Sequence, residues 1–113
     1  MILKILVVKV PNDPMWEDIE NAPEPMKEIV GDEIEAIPTL VKGVLLVVDE
    51  KAIFKHKPLN FTTEKGYIAG DVFFVGQDRA EFIDLTREQA EQIMKTYFPK
   101  TPCPPMPCAT RRM

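Results

Sequence analysis

The densest group of side chains able to do chemistry is Lys55, His56, Lys57 and Asn60, in the stretch "FKHKPLN". Two ammonium groups, an imidazole and a carboxamide are the donors that a phosphate oxyanion requires. If they converge with a neighbouring subunit, they would form a nucleotide pocket. As a general base, His56 would need a nucleophile and an orienting carboxylate. The sequence places neither beside it, and a surface histidine in a basic patch is the plainer reading. The chain contains no serine, which removes a serine nucleophile; Thr62, Thr63, Cys103 and Cys108 remain formally open.

Carboxylates recur at Glu17, Asp18 and Glu20, at Asp32, Glu33 and Glu35, and at Asp49 and Glu50. Paired carboxylates can perform acid–base work or bind a divalent cation. Here they alternate with apolar residues or sit at turns, as on a solvated sheet face. Asp78, Glu81 and Asp84 lie at a spacing of three but lack the glycine and closing glutamate of a calcium loop. Cys103 and Cys108, in "PCPPMPC", are two ligands where zinc wants four, and His56 is distant in sequence. Neither a metal nor a cofactor is expected. No nucleophile–base pair can be assembled either, so the chain reads as non-enzymatic.

The stretch "YIAGDVFFVG" raises the question of a phosphate-cradling loop. A P-loop needs four residues between its glycines, followed by Gly-Lys-Ser/Thr. Between Gly70 and Gly76 there are five, and Gln77 follows. A dinucleotide fingerprint has its glycines opening a helix, whereas a Phe-Phe pair stands between these. The expectation is structural: Gly70 turns the chain into a core strand, and Gly76 turns it out.

Trp16, the single tryptophan, has two readings: a packing residue at a sheet rim, or an anchor for a partner. The tail, residues 99–113, is proline-rich and ends in Arg111-Arg112-Met113. Prolines favour extended conformations with little core-forming potential. Either the tail is an inert terminus, or it docks on a partner or second subunit, with Arg111 and Arg112 pairing carboxylates.

What must position these residues is one small domain. The chain has 113 residues, 45% of them hydrophobic and 28% charged, with a net charge of −4. An acidic chain lacks the concentrated basic face of a direct nucleic-acid binder. Its apolar runs are strand-sized, too short to span a membrane. "MILKILVVKV" is followed by no small-residue cleavage site, so it is expected to be a first strand of a cytoplasmic protein.

"ILKILVVKV" (2–10), "DEIEAIPTL", "VLLVV" (44–48) and "VFFV" (72–75) read as strands. "MWEDIEN" fits a short helix or a strand pairing back on the first. "NAPEPMKEIVG" (21–31) predicts a helix with prolines in its first turn and Gly31 as its C-terminal cap. Residues 51–65 read as irregular, extended chain. "DLTREQAEQIMKTYF" predicts the strongest helix, with a Thr86–Gln89 capping box and a Leu85–Ala90 staple. Ala90, Ile93, Met94 and Tyr97 form its apolar stripe.

"IVGDEIEAI" and "IAGDVFFVG…FIDLTREQ", with "ILVVKVPNDPMWEDIEN", "VLLVVDEKA" and "KPLN", give the chain a resemblance over residues 2 to about 98. It resembles domain-of-unknown-function family 3846, small proteins of bacteriophages, plasmids and other mobile elements. The family often reads Leu-Pro-Leu-Asn-Arg where this chain has Lys57-Pro58-Leu59-Asn60-Phe61. It has no established activity, so the resemblance implies a setting rather than catalytic residues: a mobile-element accessory protein in the bacterial cytoplasm. It also implies a strand at "MWEDIEN".

The expected architecture is α+β: a mostly antiparallel sheet of about five strands with two helices over residues 1–98, and a proline-rich C-terminal arm over 99–113. The expected function is binding and inhibiting a host protein, such as a defence nuclease or its complex. One alternative is an oligomeric sponge for a nucleotide immune signal. The other is an enzyme degrading such a signal.

Overall fold

The computed structural model describes residues 1–106. Its strands are β1 (Ile2–Lys9), β2 (Asp13–Glu20), β3 (Ile34–Pro38), β4 (Val44–Asp49), β5 (Leu59–Thr63), β6 (Gly66–Ala69), β7 (Val72–Asp78) and β8 (Glu81–Ile83). The helices are α1 (Pro23–Val30) and α2 (Arg87–Tyr97). The class is α+β. The main sheet has six strands in the order β2-β1-β7-β4-β3, with β8 paired to β7, and every pairing is antiparallel. β5 and β6 form a separate two-stranded hairpin.

The expected mostly antiparallel sheet of about five strands is present as β2-β1-β7-β4-β3, extended by the short β8, and the β5–β6 hairpin is an addition. β5 lies where irregular chain is expected, and "FTTEKGYI" turns between two short strands that lack a clean period of two.

β1, β4 and β7 are apolar on nearly every residue because both faces of the sheet are covered. Leu3, Ile5, Val7, Val47, Phe73 and Val75 pack with Met26 and Val30 of α1. The alternate residues, among them Leu6, Val8, Leu46, Val72 and Phe74, pack with Ala90, Ile93 and Met94 of α2. The hairpin joins this second side through Phe61, whose ring centroid lies 4.8 Å from that of Phe98 and 6.1 Å from that of Phe74. Phe73 and Phe74, on opposite faces, are both fully buried. Burial of such a ring stabilises by about 1.5–3 kcal/mol.

α2 carries the capping box: Gln89 N–H donates to Thr86 Oγ1, and Thr86 N–H donates to Gln89 Oε1, both at 3.0 Å. Gly70 has φ +79 and makes the turn from β6 into β7. Gly76 does not turn the chain out. It lies inside β7, paired with Val44 on one side and Ile83 on the other. A Cβ there would stand 2.6 Å from the carbonyl of Asp84, so this glycine admits a close backbone approach. The turn comes at Arg79, φ 59.

The tail also departs from expectation. Beyond α2, Cys103 packs against the α2-side core, so the arm adds to the packing at that residue. Cys108, Arg111 and Arg112 lie outside the described residues. Among the described residues no helix is long and apolar enough to cross a membrane.

Candidate functional site

The basic segment closes on a carboxylate of its own chain. Asp49 ends β4 with its side chain 1% exposed. Lys57 Nζ lies 2.8 Å and Lys55 Nζ 2.9 Å from Asp49 Oδ2, and Lys51 N–H donates to Oδ1 at 2.9 Å. The loop is folded back to achieve this, with Lys57 N–H donating to the Ala52 carbonyl and His56 at φ 57. Burial alone would raise the Asp49 pKa; the bonds from Lys57, Lys55 and the Lys51 N–H outweigh it and hold the value at about 2. The same carboxylate raises the Lys55 pKa.

Lys57 has a second task. Its Nζ donates to the Val30 carbonyl at 2.7 Å, placing a positive charge on the C-terminus of α1. To get there the side chain passes between two glycines. A Cβ on Gly31 would meet Asp49 Oδ2 at 2.5 Å and Lys57 Nζ at 2.8 Å; one on Gly70 would meet Lys57 Cδ at 2.8 Å. Gly31 has φ +128, a backbone that L side chains rarely adopt. The Lys57–Asp49 pair thus fastens the β4–β5 loop across α1 and the β6–β7 turn.

Asn60 is spent on backbone as well. Its Nδ2 donates to the carbonyls of Val8 at 2.8 Å and Gly70 at 2.9 Å, and its Oδ1 accepts from Asn12 N–H at 2.8 Å. Asp71 Oδ1 accepts from Val10 N–H at 2.9 Å beside it. The amide ties the hairpin to the end of β1.

Of the residues expected to form one pocket, the structure brings Lys55 and Lys57 together on Asp49. It leaves His56 exposed and commits Asn60 elsewhere. The adjoining depression, lined by Glu35, Asp49, Glu50, Ile53 and Tyr67, has a volume of about 150 Å³. That is below the roughly 300 Å³ at which small-molecule pockets begin, and its acidic rim suits phosphate poorly. Among the described residues there is no group of three or more His, Cys, Asp or Glu placed to hold a metal.

Trp16 is half-buried on β2, packed against the α2-side core, and its Nε1 donates to the Pro104 carbonyl at 3.1 Å. The rim-packing reading describes it in this structure, with the chain's own arm as its partner. Tyr97, inside the aromatic cluster, accepts from Leu40 N–H at 3.0 Å and donates to Glu64 at 3.2 Å. Burial raises the pKa of this phenol.

Sequence reasoning passed over one surface. Phe54 is 80% exposed, Tyr67 69%, Ile53 60% and Leu59 57%. Ile53 and Tyr67 line one depression and Leu59 and Tyr67 the next, so these three side chains adjoin along the hairpin and the loop before it, and Phe54 stands next to Ile53 in that loop. Lys51 Nζ stands 5.7 Å from the centre of the Phe54 ring. In the sequence these residues are scattered among lysines and threonines, and only the burial of Phe61 and Ile68 on the opposite side shows which side is left outside.

No curated protein and no solved structure matches the chain. A family model does match, over residues 3–98, which ends one residue past α2 and leaves the arm outside. The matched span includes Gly31, Lys57, Asn60 and Gly70, the residues that fasten the loop, α1 and the hairpin together. The chain belongs to the family described as domain of unknown function DUF3846.

Proposed function

We propose that this chain is a non-enzymatic accessory protein of a phage or other mobile element, acting in the bacterial cytoplasm by binding and inhibiting a host protein. A component of a defence system, as in anti-CRISPR or anti-restriction inhibition, is the target class that fits the mobile-element setting of the family. The observation that carries the reading is the exposed patch of Ile53, Phe54, Leu59 and Tyr67. Aromatic side chains held on a braced loop and hairpin are the kind that dominate protein–protein binding energy. Contiguous exposed apolar surface is the usual mark of such an interface.

The nucleotide sponge is less well supported. In one copy Lys55 and Lys57 are already paired with Asp49, so a phosphate would have to displace a carboxylate at 2.8–2.9 Å or draw its cations from a neighbouring subunit. An enzyme acting on such a signal would need a nucleophile–base pair beyond the groups described above.

The test is a pull-down from host lysate, with mass spectrometry of both the proteins and the small molecules retained. The proposal expects a discrete host protein that the Phe54→Ala/Tyr67→Ala variant no longer retains. A nucleotide released intact on heating, with no protein partner, would favour the sponge.

A further inference from the structure

The Trp16 surface points to a second site, separate from the apolar patch and going beyond the reading above. Residues 102–106, Pro-Cys-Pro-Pro-Met, carry neither helix nor strand. Their exposure runs with a period of three: Pro102 and Pro105 face out, while Cys103, Pro104 and Met106 are half-buried. Three residues per turn is the period of a polyproline helix. Cys103 packs on the α2-side core, against which Trp16 also packs, and the indole N–H donates to the Pro104 carbonyl at 3.1 Å. An aromatic wall with an N–H aimed at a carbonyl between prolines is how grooves read extended proline-rich chain. A cleft of about 410 Å³ between α2 and the arm is lined by Met94, Phe98, Thr101 and Cys103, and shares Cys103 with the strap.

Two further facts bear on what this groove takes. Over its described residues the arm is held to the domain's strands by one indole hydrogen bond, worth about 1 kcal/mol, and by a few half-buried side chains. In addition, Trp16 lies inside the family-matched region, residues 3–98, whereas the arm lies outside it. The groove belongs to the domain, and its present occupant is an appendage.

We infer that the Trp16 groove is a binding site for an extended, proline-rich segment of a partner protein, and that residues 102–106 occupy it in cis as a displaceable strap. The arm competes at the high effective concentration of a tethered segment, so the partner engages when its own segment outbids the strap or when the strap is released.

Trp16 is the single tryptophan, so its indole N–H resonance and its fluorescence report the site directly. The full chain is titrated with a synthetic peptide reproducing residues 99–106, and with a control peptide in which glycine replaces each proline. The Cys103→Glu variant releases the strap, because it sets a charge against the core near Glu91. The peptide is expected to shift the indole signal of this variant with an affinity at least about tenfold above that for the unaltered chain. The glycine control should bind at least about tenfold more weakly than the proline peptide. Adding Trp16→Phe, which removes the indole reporter and is therefore followed by calorimetric titration, should abolish peptide binding while the cooperative melt persists. The inference is overturned if folded Cys103→Glu protein ignores the peptide, or if both peptides bind alike. It is equally overturned if the variant pairs into dimers by exchanging arms, since the occupant would then be a second copy.

Discussion

Asp49 stays ionised under a cover of protein because Lys57 and Lys55 reach it at 2.8 and 2.9 Å. Its folded pKa is depressed from 3.8 to about 2, so the stabilisation is fully present above the unfolded value and is lost as pH falls through the folded one. The shift corresponds to about 2 kcal/mol, lost between roughly pH 4 and pH 2. Chemical denaturation of the unaltered chain across that window should show this loss, and Asp49→Asn should lack that component of it. At neutral pH Asp49→Asn should cost about 1–3 kcal/mol, short of the full value for a buried pair because both lysines keep contact with water. At this scale the sequence was misleading in an instructive way. "FKHKPLN" displays the donors of a phosphate site, but the carboxylate that claims Lys55 and Lys57 stands in "VVDE" at the end of another strand. No local spacing reveals such a pairing. Asn60 is a similar case, since its partners Val8, Asn12 and Gly70 come together only when β1 and the hairpin meet.

At the scale of the elements, glycines separate two kinds of demand. Gly31 and Gly66 both have strongly positive φ, +128 and +116. A Cβ on Gly66 meets nothing within 4 Å, whereas one on Gly31 collides with the Asp49–Lys57 pair. Gly66→Ala should cost about 1 kcal/mol from backbone strain alone, and Gly31→Ala about 3 kcal/mol. Equal melting shifts for the two would disconnect Gly31 from the lysine fastening. Thr86→Ala, which removes the side-chain half of the α2 capping box, should cost about 1 kcal/mol by the same measurement. Both helices and the strands β1, β3, β4 and β7 were legible because strong propensity, caps and apolar runs agreed there. β5, β6 and β8 were not: they are only five, four and three residues long, too short for a clear period of two, and take their order from pairing with neighbours. Gly76 misled because a glycine at the end of "FFVG" reads as punctuation. Its reason for being there is β8, which brings the Asp84 carbonyl close to the β7 backbone.

Taken whole, the molecule is a braced sheet covered by a helix on each side, with its polar groups turned to holding loops in place and its conspicuous unpaired surface apolar. The α+β class and the family were readable from the sequence, whereas the exposed apolar side chains of the hairpin and its loop were not. Exposure of Phe54 and Tyr67 depends on which side of a weakly patterned hairpin meets the aromatic cluster of Phe61, Phe74, Tyr97 and Phe98. If the chain is a binder, a panel of cyclic and linear nucleotides incubated with it should be returned intact; turnover abolished by changing a single residue near Lys55 would contradict that. The central claim is that the patch carries the affinity for a host protein. Its most direct measurement is calorimetric titration of the captured partner into the unaltered chain and into the Phe54→Ala/Tyr67→Ala variant. Truncating two hot-spot aromatics should weaken binding by about 100-fold or more while leaving the melting temperature nearly unchanged, since both side chains are exposed. Equal affinity of the two proteins, with the variant fully folded, would contradict the account.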